Sequence, residues 1–331
     1  MKKAFFAVFA ACCAIVAPAA DAALGQPAGN GEKSARAKSL KVLTIGNSFT
    51  LCLGTFLPRV VNSVPGCRLE LTSAYIGGCS LERHVQNLAA AERDPGFSPY
   101  RITVWSSDAV APLRDDRGNV NTLLADNQYD IITIQQASPK SFDYATYQPF
   151  ADELIAYVRK YQPQAEIVIQ QTWSYRSDHP NLLPNPGACW DFDQAGMYER
   201  LRDAYRKLAE RYRLRVIPAG DAVQKYRRYT PVKYRPATEN PEYPALPSSA
   251  GDVVGSASWK TNSKTGERTL YCGKIHLNTL GKYLQACLWF SFLYGEPVDA
   301  IGFVPEGIGE SDIALVRRCA QEALDEYIQQ K

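Results

Sequence analysis

The chain has 331 residues, 46% hydrophobic and 21% charged, with 37 Lys and Arg against 34 Asp and Glu for a formal charge of +3. That near-balance excludes a broadly basic surface of the kind a phosphate backbone requires, so no nucleic acid is expected as a partner. No internal repeat or low-complexity tract interrupts the sequence.

The N-terminus carries Lys2-Lys3, then an apolar run over 4–16, then Ala20-Asp21-Ala22, which predicts a secretory signal peptide over 1–22 cleaved near Ala22 and an exported protein. Thirteen apolar residues fall short of the about 20 that cross a bilayer, so no membrane span is expected. Cys12 follows Phe9-Ala10-Ala11, a poor lipoprotein signal, and the leader reads as cleaved without lipidation. Residues 23–39, rich in Gly, Ala, Ser and charge, read as a flexible arm, and 40–331 as a single domain. Loss of the leader leaves a charge of +2 and seven of the nine cysteines, an odd number that leaves at least one thiol unpaired. Cys287 and Cys319 sit in helical apolar patterns and are expected as buried thiols, whereas Cys79 and Cys272 could bridge two loops.

Apolar β-branched runs predict strands at 42–45, 69–74, 131–135, 167–171 and 215–218, with an extra edge strand at 102–105. Between them, Thr55 is expected to cap a helix with Pro58 in its first turn, and Ser80 to cap one running through Leu81, Val85 and Leu88. Phe150, Leu154, Ile155 and Val158 mark a third helix, followed by helices at 197–212, 280–294 and 313–327, with Asn278 as the N-cap before 280–294. Alternation of this kind predicts an α/β fold with a mostly parallel sheet and helices on both faces. The basic run Lys225, Arg227, Arg228, Lys233 and Arg235, interleaved with tyrosines, reads as a solvated helix end, or as a contact for acidic polysaccharide. The connections 176–194 and 230–271 are too long for turns and suit lids or specificity walls. Trp190, Tyr243 and Trp259 on them either face a sugar or plug the loops down, and Trp173 and Tyr175 follow the fourth strand directly.

Parallel sheets bind ligands beyond the carboxyl ends of their strands. There the sequence places Ser48 after the first strand, Gly77-Gly78 after the second, Gln135-Gln136 after the third and Gln170-Gln171 after the fourth. With His276 on a loop before the helix at 280–294, these are the parts of serine-ester chemistry, Ser48 as nucleophile and His276 as base. Asn47, Gln135, Gln171 and Trp173 are candidate substrate contacts. His84 reads as a surface or supporting residue and His179 as solvated, and three histidines so scattered give no metal site and imply no cofactor.

The blocks Gly46-Asn47-Ser48-Phe49, Ile76-Gly77-Gly78-Cys79-Ser80 and His276-Leu277-Asn278 together resemble the SGNH (GDSL-like) hydrolase superfamily, and within it an exported bacterial branch whose first block reads Gly-Asn-Ser-Phe. The resemblance implies Ser48 as nucleophile, His276 as base, and an oxyanion held by the N–H groups of Ser48 and Gly78. The fold it implies is a three-layer α/β/α sandwich, flavodoxin-like, with a five-stranded parallel sheet in 2-1-3-4-5 order and long loop insertions. Two blocks depart from the pattern. The third reads Ile134-Gln135-Gln136-Ala137-Ser138 in place of Gly-x-Asn-Asp, which leaves Gln136, or else Ser138, as the side-chain oxyanion donor. Gly273 replaces the Asp expected three residues before the histidine, so His276 must be oriented by a backbone carbonyl or by an acid from elsewhere, such as Asp252 or Glu267. The function implied is an exported serine esterase acting on a small-molecule or polysaccharide ester, above all O-acetyl groups of carbohydrate. Rival readings are a carbohydrate-binding protein of weak or lost activity on the same scaffold, and a lipid esterase or thioesterase. The oligomeric state is not legible.

Overall fold

The computed structural model describes residues 38–330. The expected leader and nearly all of the expected arm lie outside the described residues, and the first strand begins two residues before the expected domain boundary at 40.

In chain order the central sheet uses β1 (Lys38–Gly46), β2 (Cys67–Tyr75), β3 (Tyr100–Ser106), β4 (Arg114–Gly118), β5 (Ile131–Ile134), β6 (Glu166–Gln170) and β7 (Arg215–Ile217). They lie in the order β4-β3-β2-β1-β5-β6-β7. The strands β2, β1, β5, β6 and β7 run parallel, with Ile45 of β1 opposite Ala74 of β2 and Ile134 of β5. β3, the extra strand expected at 102–105, and β4, which was not expected, add on antiparallel at the β2 edge, so the sheet is mostly parallel with seven strands and not the five that the resemblance implied. The extra strand β4 escapes hydrophobic patterning because it reads Arg-Asp-Asp-Arg-Gly. Its charges pair across and along the hairpin, Arg101 with Asp115 and Arg114 with Asp116. A short, charged outer strand of this kind discourages pairing with other chains.

The helices are α1 (Ser48–Leu51), α2 (Leu57–Asn62), α3 (Leu81–Arg93), α4 (Val120–Asp126), α5 (Phe150–Tyr161), α6 (Gln194–Tyr212), α7 (Ala219–Tyr229), α8 (Thr279–Tyr294) and α9 (Glu310–Gln329). One group packs α2, α7, α8 and α9 together, and another packs α3, α4 and α5. α8 is buried from Tyr283 to Tyr294, as an all-round apolar helix must be, and the one polar edge of Trp289 is satisfied by Gln170 Oε1 at 2.7 Å. Its N-cap is Asn278, which accepts from Gly281 N, and Ser80 caps α3 by accepting from Arg83 N. Thr55 does not cap α2: it ends a 3₁₀ turn (Cys52–Thr55), and the capping position falls to Phe56, whose side chain accepts nothing.

The second long connection contains an unexpected hairpin, β8 (Ala257–Thr261) and β9 (Arg268–Cys272), four residues before His276. The basic run over α7 divides: Arg228, Lys233 and Arg235 are exposed as a solvated end would be, and Lys225 and Arg227 are not. Lys225 pairs with Glu326 and Arg227 with Asp252, and both cationic side chains are buried. All seven cysteines among the described residues are free, so the bridge between Cys79 and Cys272 does not form. Cys79 is fully buried, and burial pushes its thiol up to about 12, where it acts as a small hydrophobe. No helix among the described residues is long and apolar enough to cross a membrane.

Candidate active site

Gly46 closes β1, and a Cβ there would overlap Thr50 Oγ1, so only glycine lets the chain turn into α1 at once. Asn47 then holds the turn. Its Oδ1 accepts from Phe49 N at 3.1 Å and from Gln135 Nε2 at 2.5 Å, while its Nδ2 donates to Cys79 O at 3.0 Å. One buried carboxamide thereby joins the ends of β1, β2 and β5, and Ser48 opens α1 on top of it.

His276 arrives from the other end of the chain, on the loop between β9 and α8, and its Nε2 stands 2.8 Å from Ser48 Oγ. A hydroxyl and an imidazole at that distance can exchange a proton. Protein packed around the ring, including Phe49 edge-on at 5.9 Å, lowers the His276 pKa below its ordinary 6.5, and the Lys282 ammonium lowers it further. The residue as a whole stays exposed. The imidazole is therefore neutral near pH 7 and able to accept the serine proton. Gly78 turns with φ +61° just before Cys79, whose carbonyl Asn47 holds, with open space where a side chain would be. Among the described residues no acceptor is bonded to the N–H of Ser48 or of Gly78.

Several expected roles are corrected. Gln136 is wholly buried, with Nε2 donating to Thr146 O at 2.9 Å and Oε1 accepting from Leu81 N at 3.1 Å. Its amide fastens the head of α3 to a loop and is not available as an oxyanion donor. Gln136→Ala is expected to lower stability by about 1–3 kcal/mol, since it strands a buried N–H, while leaving serine reactivity within twofold; urea unfolding and labelling rate check the two halves. Ser138 is likewise engaged, its Oγ 2.8 Å from Tyr175 Oη. Gln171 is buried and pairs with Asp221, accepting from its N and donating to its Oδ1, so it is no substrate contact. Gln135 and Asn47 serve the serine turn from beneath.

Trp173 is the largest departure. It is fully buried, stacks on Phe49 at 4.2 Å, and donates Nε1 to Ile275 O at 2.8 Å. It holds both the residue after the serine and the residue before the histidine, a role sequence reasoning missed; the only signal was an aromatic at a strand end in the same chain as Ser-Phe.

No acid completes the pair among the described residues. Asp252 gives one oxygen to Arg227 at 3.0 Å and the other to Val254 N at 2.9 Å, and Glu267 stands exposed in the turn before β9. His84 is not at the surface: it is buried with Nδ1 2.9 Å from Tyr100 Oη, and burial pushes its pKa down to about 3. His179 is half-buried rather than solvated, packed against Tyr175 and Trp190. Trp190 also meets Phe142 and Phe192, so this aromatic cluster is a plug for its loop, whereas Tyr243 beside Trp259 stays 51% exposed. A cleft of about 730 Å³ is lined by Gln171 and by residues of α6, β7, α7 and α9, and by neither Ser48 nor His276. Among the described residues no three His, Cys, Asp or Glu side chains gather as a metal site would need.

The family model of a domain of unknown function, DUF4886, matches residues 41–234, a span holding Ser48 and Gly78. A crystal structure of a DUF4886 family protein from Bacteroides uniformis is 27% identical, with a TM-score of 0.68 over 87% of this chain and 95% of that one. A provisionally named SGNH hydrolase from Slackia heliotrinireducens is 15% identical, with a TM-score of 0.43 over 75% of this chain and 96% of that one. A possible lipase from Chitinophaga pinensis is 13% identical, with a TM-score of 0.33 over 88% of this chain and 98% of that one. At such scores the last two likenesses assign nothing to this chain. No curated protein matches the sequence.

Proposed function

This chain belongs to the DUF4886 family, a domain of unknown function, and from the 2.8 Å contact between Ser48 and His276 we propose that it is a serine hydrolase acting on esters through a Ser–His dyad. In this reading His276 Nε2 takes the Ser48 proton as Oγ attacks the ester carbonyl. The tetrahedral oxyanion that forms faces the free N–H groups of Ser48 and Gly78, in the manner of backbone oxyanion holes. Collapse breaks the bond to the leaving oxygen, which takes the proton back from His276, and the acyl group stays on Ser48. Water, with His276 again as base, then releases the acid and restores the serine.

The substrate class that fits best is a short acyl ester, O-acetyl above all, carried on carbohydrate. What supports it is the openness of the site: His276 and the Gly77-Gly78 turn are exposed, which suits an ester on a bulky polar molecule. Export through the leader read over 1–22 completes this reading. Acetate release from an aryl acetate and from acetylated xylan, with a chain-length series beside them, tests it. Preference for acyl chains of eight carbons or more would move the reading to lipid esters.

The lowered pKa of His276 sets a pH dependence. Only the neutral ring can take the serine proton, so reactivity is low below its pKa and rises as pH climbs through it. Because that pKa lies below 6.5, fluorophosphonate labelling is expected to reach half its maximal rate below pH 6.5. A half-maximal rate above pH 7 contradicts the dyad.

A further inference from the structure

With no carboxylate on the His276 ring, something else must fix its direction. The loop that carries it is held at nearly every residue. On one side, Lys274 O accepts from Arg176 N at 2.9 Å and Ile275 O from Trp173 Nε1 at 2.8 Å. On the other, Gly273 N donates to Ser256 O at 2.7 Å, His276 O accepts from Gly255 N at 2.7 Å, and Asn278 N donates to Val253 O at 3.0 Å. The histidine loop is thus threaded between segments 173–176 and 252–256.

A single side chain spans both segments. The Arg227 guanidinium donates Nη1 to Ser174 Oγ at 2.7 Å and Nη2 to Ser174 O at 3.2 Å and Tyr175 O at 3.3 Å. Its Nε donates to Asp252 Oδ2 at 3.0 Å, and Asp252 in turn ties Val254 N with Oδ1 and Asn278 Nδ2 with its carbonyl. The two ionic side chains are 9% and 4% exposed. Buried pairs add little net stability against an apolar replacement, so their best-attested use is to fix one arrangement among several. Only a planar fork reaches these acceptors at once, which an ammonium cannot do.

We propose that Arg227 is a positioning residue for His276, bracing the two segments that grip the histidine loop and so doing the orienting work a triad carboxylate does elsewhere. This rests on the reading of Ser48 and His276 as the reactive pair. Two readouts test it: the NMR titration of the His276 ring, assigned by its loss in His276→Asn, and the rate of Ser48 labelling by a fluorophosphonate. In folded Arg227→Lys the ring is expected to titrate closer to the ordinary imidazole value, and labelling to slow by about 10- to 100-fold, the usual cost of slight misplacement. Lys225→Met, which removes the neighbouring ion pair from α7 to the exposed Glu326 of α9, is expected to leave the ring titration and the labelling rate unmoved.

The proposal is overturned if Arg227→Lys titrates like wild type and labels within twofold of it, or if Lys225→Met shifts the ring as much. Should Arg227→Lys not fold, Ser174→Ala removes the side-chain acceptor that Arg227 Nη1 shares with Gln194 Nε2, with a shift in the same direction and a slowing of about threefold or more expected; no change in either overturns the bracing. A wild type that never labels at Ser48 defeats the hydrolase reading, and the ring titration by itself then decides the role of Arg227.

Discussion

Replacing Ser48 by alanine is expected to abolish covalent labelling by a fluorophosphonate and to cut aryl acetate hydrolysis by about 10³-fold or more, with the unfolding midpoint nearly unchanged. The separation of the two effects follows from the contacts. Ser48 Oγ bonds to His276 alone among the described residues, so deleting it leaves one nitrogen of an exposed residue without its partner and opens no cavity in the core. The loss in rate is large because attack, proton transfer and acyl capture all pass through that oxygen. His276→Asn should fall nearly as far, and the double variant no further, since two members of one unit are not additive. Mass spectrometry of the labelled peptide checks the first claim and initial rates the second. Equal rates for wild type and Ser48→Ala would leave a sugar-binding role as the better account of the fold.

Trp173→Ala is expected to cost about 3–5 kcal/mol of stability, the range for emptying a buried aromatic site, and to slow Ser48 labelling as well. The ring is wholly buried, and its removal takes away the stack on Phe49 and the hydrogen bond to Ile275 O together. Phe49 follows the nucleophile and Ile275 precedes the base, so both halves of the pair loosen. Trp173→Phe separates packing from hydrogen bonding: it keeps most of the volume but leaves the Ile275 carbonyl without its donor. That variant should lose about 1–3 kcal/mol and still show slower labelling. Urea denaturation and labelling rates measured on the same samples decide it, and an unchanged unfolding midpoint in Trp173→Ala would refute the packing role.

Strong periodic segments were legible without coordinates. Buried β-branched runs such as 42–45 and 131–134 can only be inner strands, and Ser80 and Asn278 cap helices where their side chains and the apolar stripes after them require it. What patterning could not show was whatever depends on distant partners. β4 carries no apolar signal because it is a charged edge, and α7 hides in a basic run of which Lys225 and Arg227 turn inward to Glu326 and Asp252 on other elements. The same holds in the site. The types Ser48 and His276 announce chemistry by themselves, whereas the glutamines after β5 and β6 look alike in sequence and diverge in structure. Gln135 reaches Asn47, Gln136 turns to Thr146, and Gln171 closes on Asp221. An amide at a strand end is equally suited to meet a ligand or to tie down a loop, and only the neighbours decide.

Asn47 has both polar ends of its side chain committed, to Gln135 and Phe49 on one and to Cys79 on the other. The nucleophile's perch is consequently not a portable tetrapeptide. Anyone wishing to transplant Gly-Asn-Ser-Phe into another scaffold would need to carry the neighbouring glycine turn and the glutamine along with it, because the three strand tips form a single keystone and lose their shape when taken singly.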